Sequence, residues 1–166
     1  VPMLRDLDER FRVMDRFPDY EQVLSISTPP IEAMAGPEDA VSLAERANDG
    51  MAELVRKYPE RFPAFVASLP MNNVPAALAE MDYAITRLGA KGIQVFTNVN
   101  GRPLDEPEFF PVFERVTQHH DLPVWMHPAR PATRADYVNE PKSKYEIWQV
   151  LGWPFESSVA MARIVF

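Results

Sequence analysis

Leu122-Pro123-Val124-Trp125-Met126-His127-Pro128 decides how this chain is read. The run holds few polar atoms, and it carries a β-branched and an aromatic residue between two helical patterns. Those are the marks of a short buried strand in a parallel sheet. His127 closes it, and a proline follows at once. The carboxyl end of such a strand is where α/β enzymes place catalytic groups and metal ligands. His127 is therefore the first candidate metal ligand, against the plainer reading of a hydrogen-bonded core histidine.

Working outward, three more strand candidates precede it: Glu21 to Ser27, Arg61 to Leu69 and Gly92 to Phe96. Helical patterns separate them. The N-terminal stretch from Val1 to Arg12 is charged and helical, unlike a signal peptide, with Leu4, Leu7, Phe11 and Met14 on one face. Gly36-Pro37-Glu38-Asp39 opens a long helix with a stripe at Leu43, Ala47, Met51, Leu54 and Tyr58. Asn73 can cap the next helix, and Asp105 with Glu108 resembles a further start box. After His127 comes a long loop, Pro128 to Pro141. A last helical region from Ser143 is interrupted at Gly152-Trp153-Pro154 and resumes with Phe155, Val159, Ala162 and Phe166 on one face.

Strand and helix alternating at roughly 30-residue spacing predict right-handed βαβ units and a parallel sheet. An open doubly wound sheet and part of a (β/α)8 TIM barrel both satisfy this. The chain opens on a helix with no strand before it and closes inside a helix with no strand after it. With four strands against the eight of a barrel, residues 1–166 are expected to be about half of a barrel. The first strand and the last three would be lacking.

Composition narrows the function classes. The 166 residues are 46% hydrophobic and 25% charged, with a net charge of −7. An acidic balance argues against a nucleic-acid surface, and no apolar stretch approaches a membrane span. There is no cysteine, so thiolate ligands and nucleophiles are excluded; with 8 methionines, the cytoplasm is the default location. Neither nucleotide-phosphate glycine loop occurs.

Among other candidates, Arg130 lies three residues beyond His127, where a guanidinium could hold a substrate carboxylate as a planar fork; the alternative is a solvated loop arginine. Arg134 is farther along and reads as solvated. Trp148, Trp153 and Phe155 surround the interrupted helix, either as packing or as a wall over the strand ends. His119 and His120 are adjacent and point about 100° apart on a helix, so they form no ligand pair. Lys91 precedes its strand and faces away from the site end.

Several stretches, in order, carry a resemblance: Ala47-Asn48-Asp49, Tyr58-Pro59-Glu60-Arg61-Phe62, Gly92-Ile93-Gln94-Val95, Pro103 to Phe109, Leu122 to Pro128, and Gly152-Trp153-Pro154-Phe155-Glu156. Together they resemble the interior of an amidohydrolase-superfamily barrel, in the branch of aminocarboxymuconate-semialdehyde and γ-resorcylate decarboxylases. The resemblance implies a metal-dependent carboxy-lyase, with hydrolases as relatives, acting on a small carboxylated and often aromatic substrate. The implied cofactor is a divalent metal ion, zinc first and manganese second, and dimers are common in such proteins. His127 matches the family's ligand at the end of the fifth strand. The family's His-x-His pair is expected before Val1, and its later histidine and aspartate after Phe166. The catalytic residues are thus expected outside this chain, which by itself is expected to be inactive. Substrate binding is assigned to Arg130, Trp153 and Phe155. The competing reading is a complete non-enzymatic α/β binding domain in which His127 is structural.

Overall fold

The computed structural model describes residues 2–166; Val1, where the first helical pattern begins, lies outside the described residues. Helix α1 (Leu7–Met14) starts where the Asp6 carboxylate accepts hydrogen bonds from the backbone N–H groups of Asp8 and Glu9. Strand β1 (Val23–Leu24) and the short helix α2 (Ile31–Met34) follow. Helix α3 (Pro37–Lys57) has proline in its first turn, acids beside it and Arg56 and Lys57 at its end, the charge order the helix dipole favours. Strands β2 (Ala64–Phe65) and β3 (Ala67–Ser68) lead to α4 (Val74–Tyr83), which Asn73 caps from its side chain as expected. Then come β4 (Ile93–Phe96), the hairpin of β5 (Asn98–Val99) and β6 (Arg102–Pro103), α5 (Phe110–Glu114), β7 (Val124–His127), α6 (Ile147–Val150) and α7 (Gly152–Val165).

The second strand candidate is one run seen as two ladders. The Val66 N–H donates to Leu24 O on one side, and the Ala67 N–H donates to Gly92 O on the other. Residues 64–68 therefore sit between β1 and β4, and β4 pairs with β7 over four residues, Ile93 with Val124 through Phe96 with His127. All these pairings are parallel and run in chain order. The reversal of order that defines a doubly wound sheet does not occur among the described residues. Gly92 (φ 149°) lets β4 begin close to β7: a Cβ there would lie 2.5 Å from Pro123 O.

Alternation sorts the strand residues into two sides. Ala67, Leu69, Ile93, Val95, Val124 and Met126 join the hydrophobic core with Met51 of α3, Met81 of α4 and Val112 of α5. The helices thus cover one face of the sheet. Burying a side chain such as Ile93, 0% exposed, contributes roughly 1.5–3 kcal/mol. Ser68, Gln94, Phe96, Trp125 and His127 belong to the opposite, inner face.

Three details differ from the sequence reading. The buried face of α3 is Ala40, Ala44, Asn48 and Met51, rotated from the expected stripe. Small residues let the helix approach the sheet, where Asn48 clamps β3: its amide N–H2 donates to Ser68 O and Glu80 Oε1, and its Oδ1 accepts from the Ser68 N–H. The box at Asp105 and Glu108 does not start α5, because Arg163 of α7 takes the Asp105 carboxylate and Arg102 takes Glu108. The last helix begins at Ile147 rather than Ser143, and it breaks at Leu151, with Gly152-Trp153-Pro154 forming the first turn of α7. Phe155, Val159 and Phe166 point away from the core at 67%, 40% and 104% exposure, while Gly152 and Ala160 are the buried contacts of that helix.

Candidate active site

The carboxyl ends of the strands open onto a cavity of about 580 Å3. Its walls come from the segments that follow three strands: Thr28 to Pro30 after β1, Asn98 to Gly101 after β4, and Ala129 to Arg134 after β7. Trp148 and Trp153 close one side. The Asn100-Gly101 turn, with φ of 52° and 86°, is the sequence pair that a two-residue hairpin of this hand requires.

His127 stands at the end of β7 beside this cavity. Its Nδ1 lies 2.8 Å from Pro128 O, and a carbonyl can only accept, so Nδ1 carries the proton. In the neutral imidazole Nε2 is then an unprotonated lone pair. This backbone contact is the arrangement that fixes the tautomer of metal-binding histidines. Phe96 and Trp153 hold the ring, with centroids 5.1 and 5.9 Å away. A catalytic divalent site needs about three protein ligands. Among the described residues no group of three or more His, Cys, Asp or Glu side chains could hold a metal ion. These residues fit one ligand position and no more.

Arg130 is not a solvated loop arginine. Its side chain is 15% exposed, and Nη2 donates to Ala135 O at 3.1 Å and, more weakly, to Asp136 Oδ1 at 3.4 Å. Its buried Nε has no protein partner. Gly152 makes this possible, since a Cβ there would lie 2.7 Å from Arg130 Cδ. Trp153 donates its indole N–H to Arg130 O and stacks edge-on with Trp148 at 5.1 Å. His127, Arg130 and Trp153 are thus brought together. Phe155 is not part of that group; it lines a neighbouring cavity of about 230 Å3, which Arg130 and Arg134 share.

The remaining sequence candidates lie elsewhere. His120 bonds Asp82 at 2.8 Å, tying α4 to the end of the α5 segment, and Asp82 also pairs with Arg115.

Sequence reasoning missed the residues that hold the loop. Asp136 accepts hydrogen bonds from the Ser143 hydroxyl, the Lys144 N–H and Arg130. Desolvation raises its pKa, but the hydrogen bonds from Ser143 and Lys144 and the Arg130 charge outweigh that and leave it below the ordinary value. Glu156, the last residue of a quoted stretch, accepts from the Asn98 amide and ties α7 to β5. No spacing rule marks either residue. Glu32, 5% exposed, was missed as well; burial pushes its carboxyl up to about 7.

The sequence profile of the amidohydrolase family matches residues 3–158. The 2-amino-3-carboxymuconate-6-semialdehyde decarboxylase of Dictyostelium discoideum is 32% identical over 161 residues, which is 97% of this chain and 43% of that protein. A γ-resorcylate decarboxylase of Polaromonas is 37% identical over 130 residues, 75% of this chain and 39% of that one. The crystal structure of 5-carboxyvanillate decarboxylase from Novosphingobium aromaticivorans superposes with a TM-score of 0.78 at 27% identity, covering 95% of this chain and 44% of that one. That enzyme was solved with manganese and 4-hydroxy-3-methoxy-5-nitrobenzoic acid. The chain spans less than half the length of these three proteins, and it belongs to the amidohydrolase family.

Proposed function

We propose that the protein containing this chain is a metal-dependent, non-oxidative decarboxylase of a small aromatic carboxylate, and that residues 1–166 are an arc of its (β/α)8 barrel. The observation that carries this is the prepared imidazole: His127 at a strand end with its Nδ1 proton on Pro128 O and Nε2 left for a ligand. Chain-order parallel strands with helices on one face support the barrel arc. The remaining ligands and the catalytic groups would come from the parts of the barrel outside these residues.

The bound metal would supply a Lewis acid that orients a substrate carboxylate or hydroxyl and stabilises developing negative charge. Manganese, present in the 5-carboxyvanillate decarboxylase, is the first choice of metal. Arg130 gives the cavity wall a fixed positive charge for the substrate carboxylate, held in place by Gly152, Trp153 and Asp136. Trp148 and Trp153 supply the apolar wall that favours a ring and excludes water, while Phe155 lines only the neighbouring cavity.

The test is turnover. The intact, manganese-loaded protein offered 2,6-dihydroxybenzoate, 5-carboxyvanillate and simple benzoates should release carbon dioxide and the matching phenol from at least one. Tight binding without release from any of them would favour the binding domain.

A further inference from the structure

Between Pro128 and Leu151 one residue is fully buried, and it is polar: Ser143, 7% exposed. Tyr137, Val138 and Tyr145 of the same stretch stand out in solvent, so apolar packing does not explain its burial. Hydrogen bonding does. The Ser143 hydroxyl donates to the Asp136 carboxylate, 2.9 and 2.8 Å from its two oxygens, and it accepts the Trp148 backbone N–H at 3.0 Å. An N–H only donates and a carboxylate only accepts, so the direction of the hydroxyl proton is fixed.

These two bonds belong to a closed ring of contacts. Asp136 meets Arg130 Nη2 at 3.4 Å, Trp148 packs edge-on against Trp153 with centroids 5.1 Å apart, and the Trp153 indole N–H returns to Arg130 O at 3.0 Å. Arg130, Trp148 and Trp153 line the mouth cavity, and Asp136 and Ser143 stand behind them. The backbone is strained to close this ring. Tyr145 and Glu146 both hold left-handed conformations, φ 55° and 58°, which residues with a Cβ rarely adopt. Such conformations persist only where the surroundings over-determine them, and they cluster at functional sites. Here Asp136 holds the Lys144 N–H just before the turn, Ser143 holds the Trp148 N–H just after it, and the Glu146 carboxylate takes the Trp148 indole N–H. The strained turn delivers Trp148 to the cavity wall.

We infer that Ser143 is a positioning residue. Its hydroxyl fixes the spacing between the charged wall at Arg130 and the aromatic wall at Trp148 and Trp153, so that a carboxylate held by the guanidinium sets its own ring against the indoles. This rests on the reading of Arg130 above and adds the register between the two walls. Ser143 touches neither substrate nor metal and acts through Asp136 on one side and Trp148 on the other. A bare ring or a bare carboxylate gains from one wall only. An aromatic carboxylate gains from both, and only while they keep their spacing. A misplacement of about 1 Å at such a site can cost on the order of 10²-fold.

The test uses the intact manganese-loaded protein and the tightest-bound of 2,6-dihydroxybenzoate, 5-carboxyvanillate and benzoate. Kd is read from tryptophan-fluorescence quenching on rapid mixing, before turnover. Ser143→Ala should raise Kd about 10–100-fold, with metal content near the parent's. Ser143→Thr, which keeps the hydroxyl, should stay within about threefold. In the Arg130→Ala background, Ser143→Ala should change Kd by less than about twofold, because a ring whose carboxylate is not held has no register to lose. Where the ligand is turned over, the loss in Ser143→Ala should fall on KM more than on kcat. Asp136→Asn keeps the side chain's shape and decides the question even where Ser143→Ala fails to fold. By charge alone, removing an anion beside Arg130 tightens carboxylate binding, whereas loss of positioning weakens it. A Ser143→Ala Kd within about twofold of the parent's, an equal loss in the Arg130→Ala background, or tighter binding by Asp136→Asn would each overturn the positioning role and leave the decarboxylase reading standing. A parent that binds none of the three carboxylates would overturn that reading and the positioning role with it.

Discussion

β4 and β7 are neighbours, equal in length and paired residue for residue, yet they live in different surroundings. All four residues of β4 are buried. In β7 none is fully buried, and Trp125 is 46% exposed. Their register partners invert the usual rule: Gln94 is 6% exposed beside the far more exposed Trp125. The difference has a plain cause. β4 has a strand on each side, whereas among the described residues no strand pairs with the outer edge of β7. An exposed strand edge with a large apolar side chain is a surface that proteins normally cover. The comparison teaches that exposure in this sheet follows strand pairing: β4, flanked on both sides, is buried, and β7, paired on one side among the described residues, is not.

Truncating Trp125 sharpens this most. In the intact protein, Trp125→Ala should cost about 3–5 kcal/mol, as for a buried aromatic, measured by urea denaturation. A loss within about 0.5 kcal/mol would mean the inner face of β7 stays in water and would break the barrel reading.

The closed side of the sheet gives the next effect. Glu32 has a folded pKa of about 7 against an ordinary 4.5. A raised acid binds its proton more tightly when folded, so its contribution is fully present below pH 4.5 and is lost as pH rises through 7. The shift corresponds to about 3 kcal/mol. Glu80 is raised too, by burial that the Asn48 hydrogen bond partly offsets, so the total pH dependence belongs to both. The stability difference between Glu32→Gln and the parent isolates Glu32 and should change by about that amount between pH 4.5 and 7. A flat difference would place Glu32 in water.

The smallest effect tests the packed side. Ile93→Val removes one methylene from a side chain that is 0% exposed and should cost about 0.5–1.5 kcal/mol. No measurable loss would show that β4 is less tightly packed than its burial indicates.

Much of the fold was legible in the sequence because it rests on local signals. Pro37 and its acids start α3, Asn73 caps α4, and the apolar runs ending at Phe96 and His127 are strands. Where signals compete across the fold, local reading failed. Asp105 looked like a cap, but Arg163, 58 residues away, takes its carboxylate. The apolar stripe of the last helix faces outward, because its buried contacts are the small residues Gly152 and Ala160. At the site, His127 and Arg130 were legible from one strand end. Asp136 and Ser143 were not, since a loop hub has no periodicity. Glu32 was not, because nothing in an isolated Ile-Glu-Ala-Met segment reveals that its carboxyl is enclosed by strands from elsewhere in the chain.

The central claim is that His127 is a metal ligand facing an enclosed site. The direct measurement is the divalent metal bound per protomer in the intact protein and in His127→Ala, by elemental analysis after exhaustive dialysis, with folding checked by circular dichroism. The account predicts that the folded variant loses most of its metal and that decarboxylation falls with it. A folded His127→Ala that keeps the parent's metal stoichiometry would contradict the claim and leave His127 a core histidine.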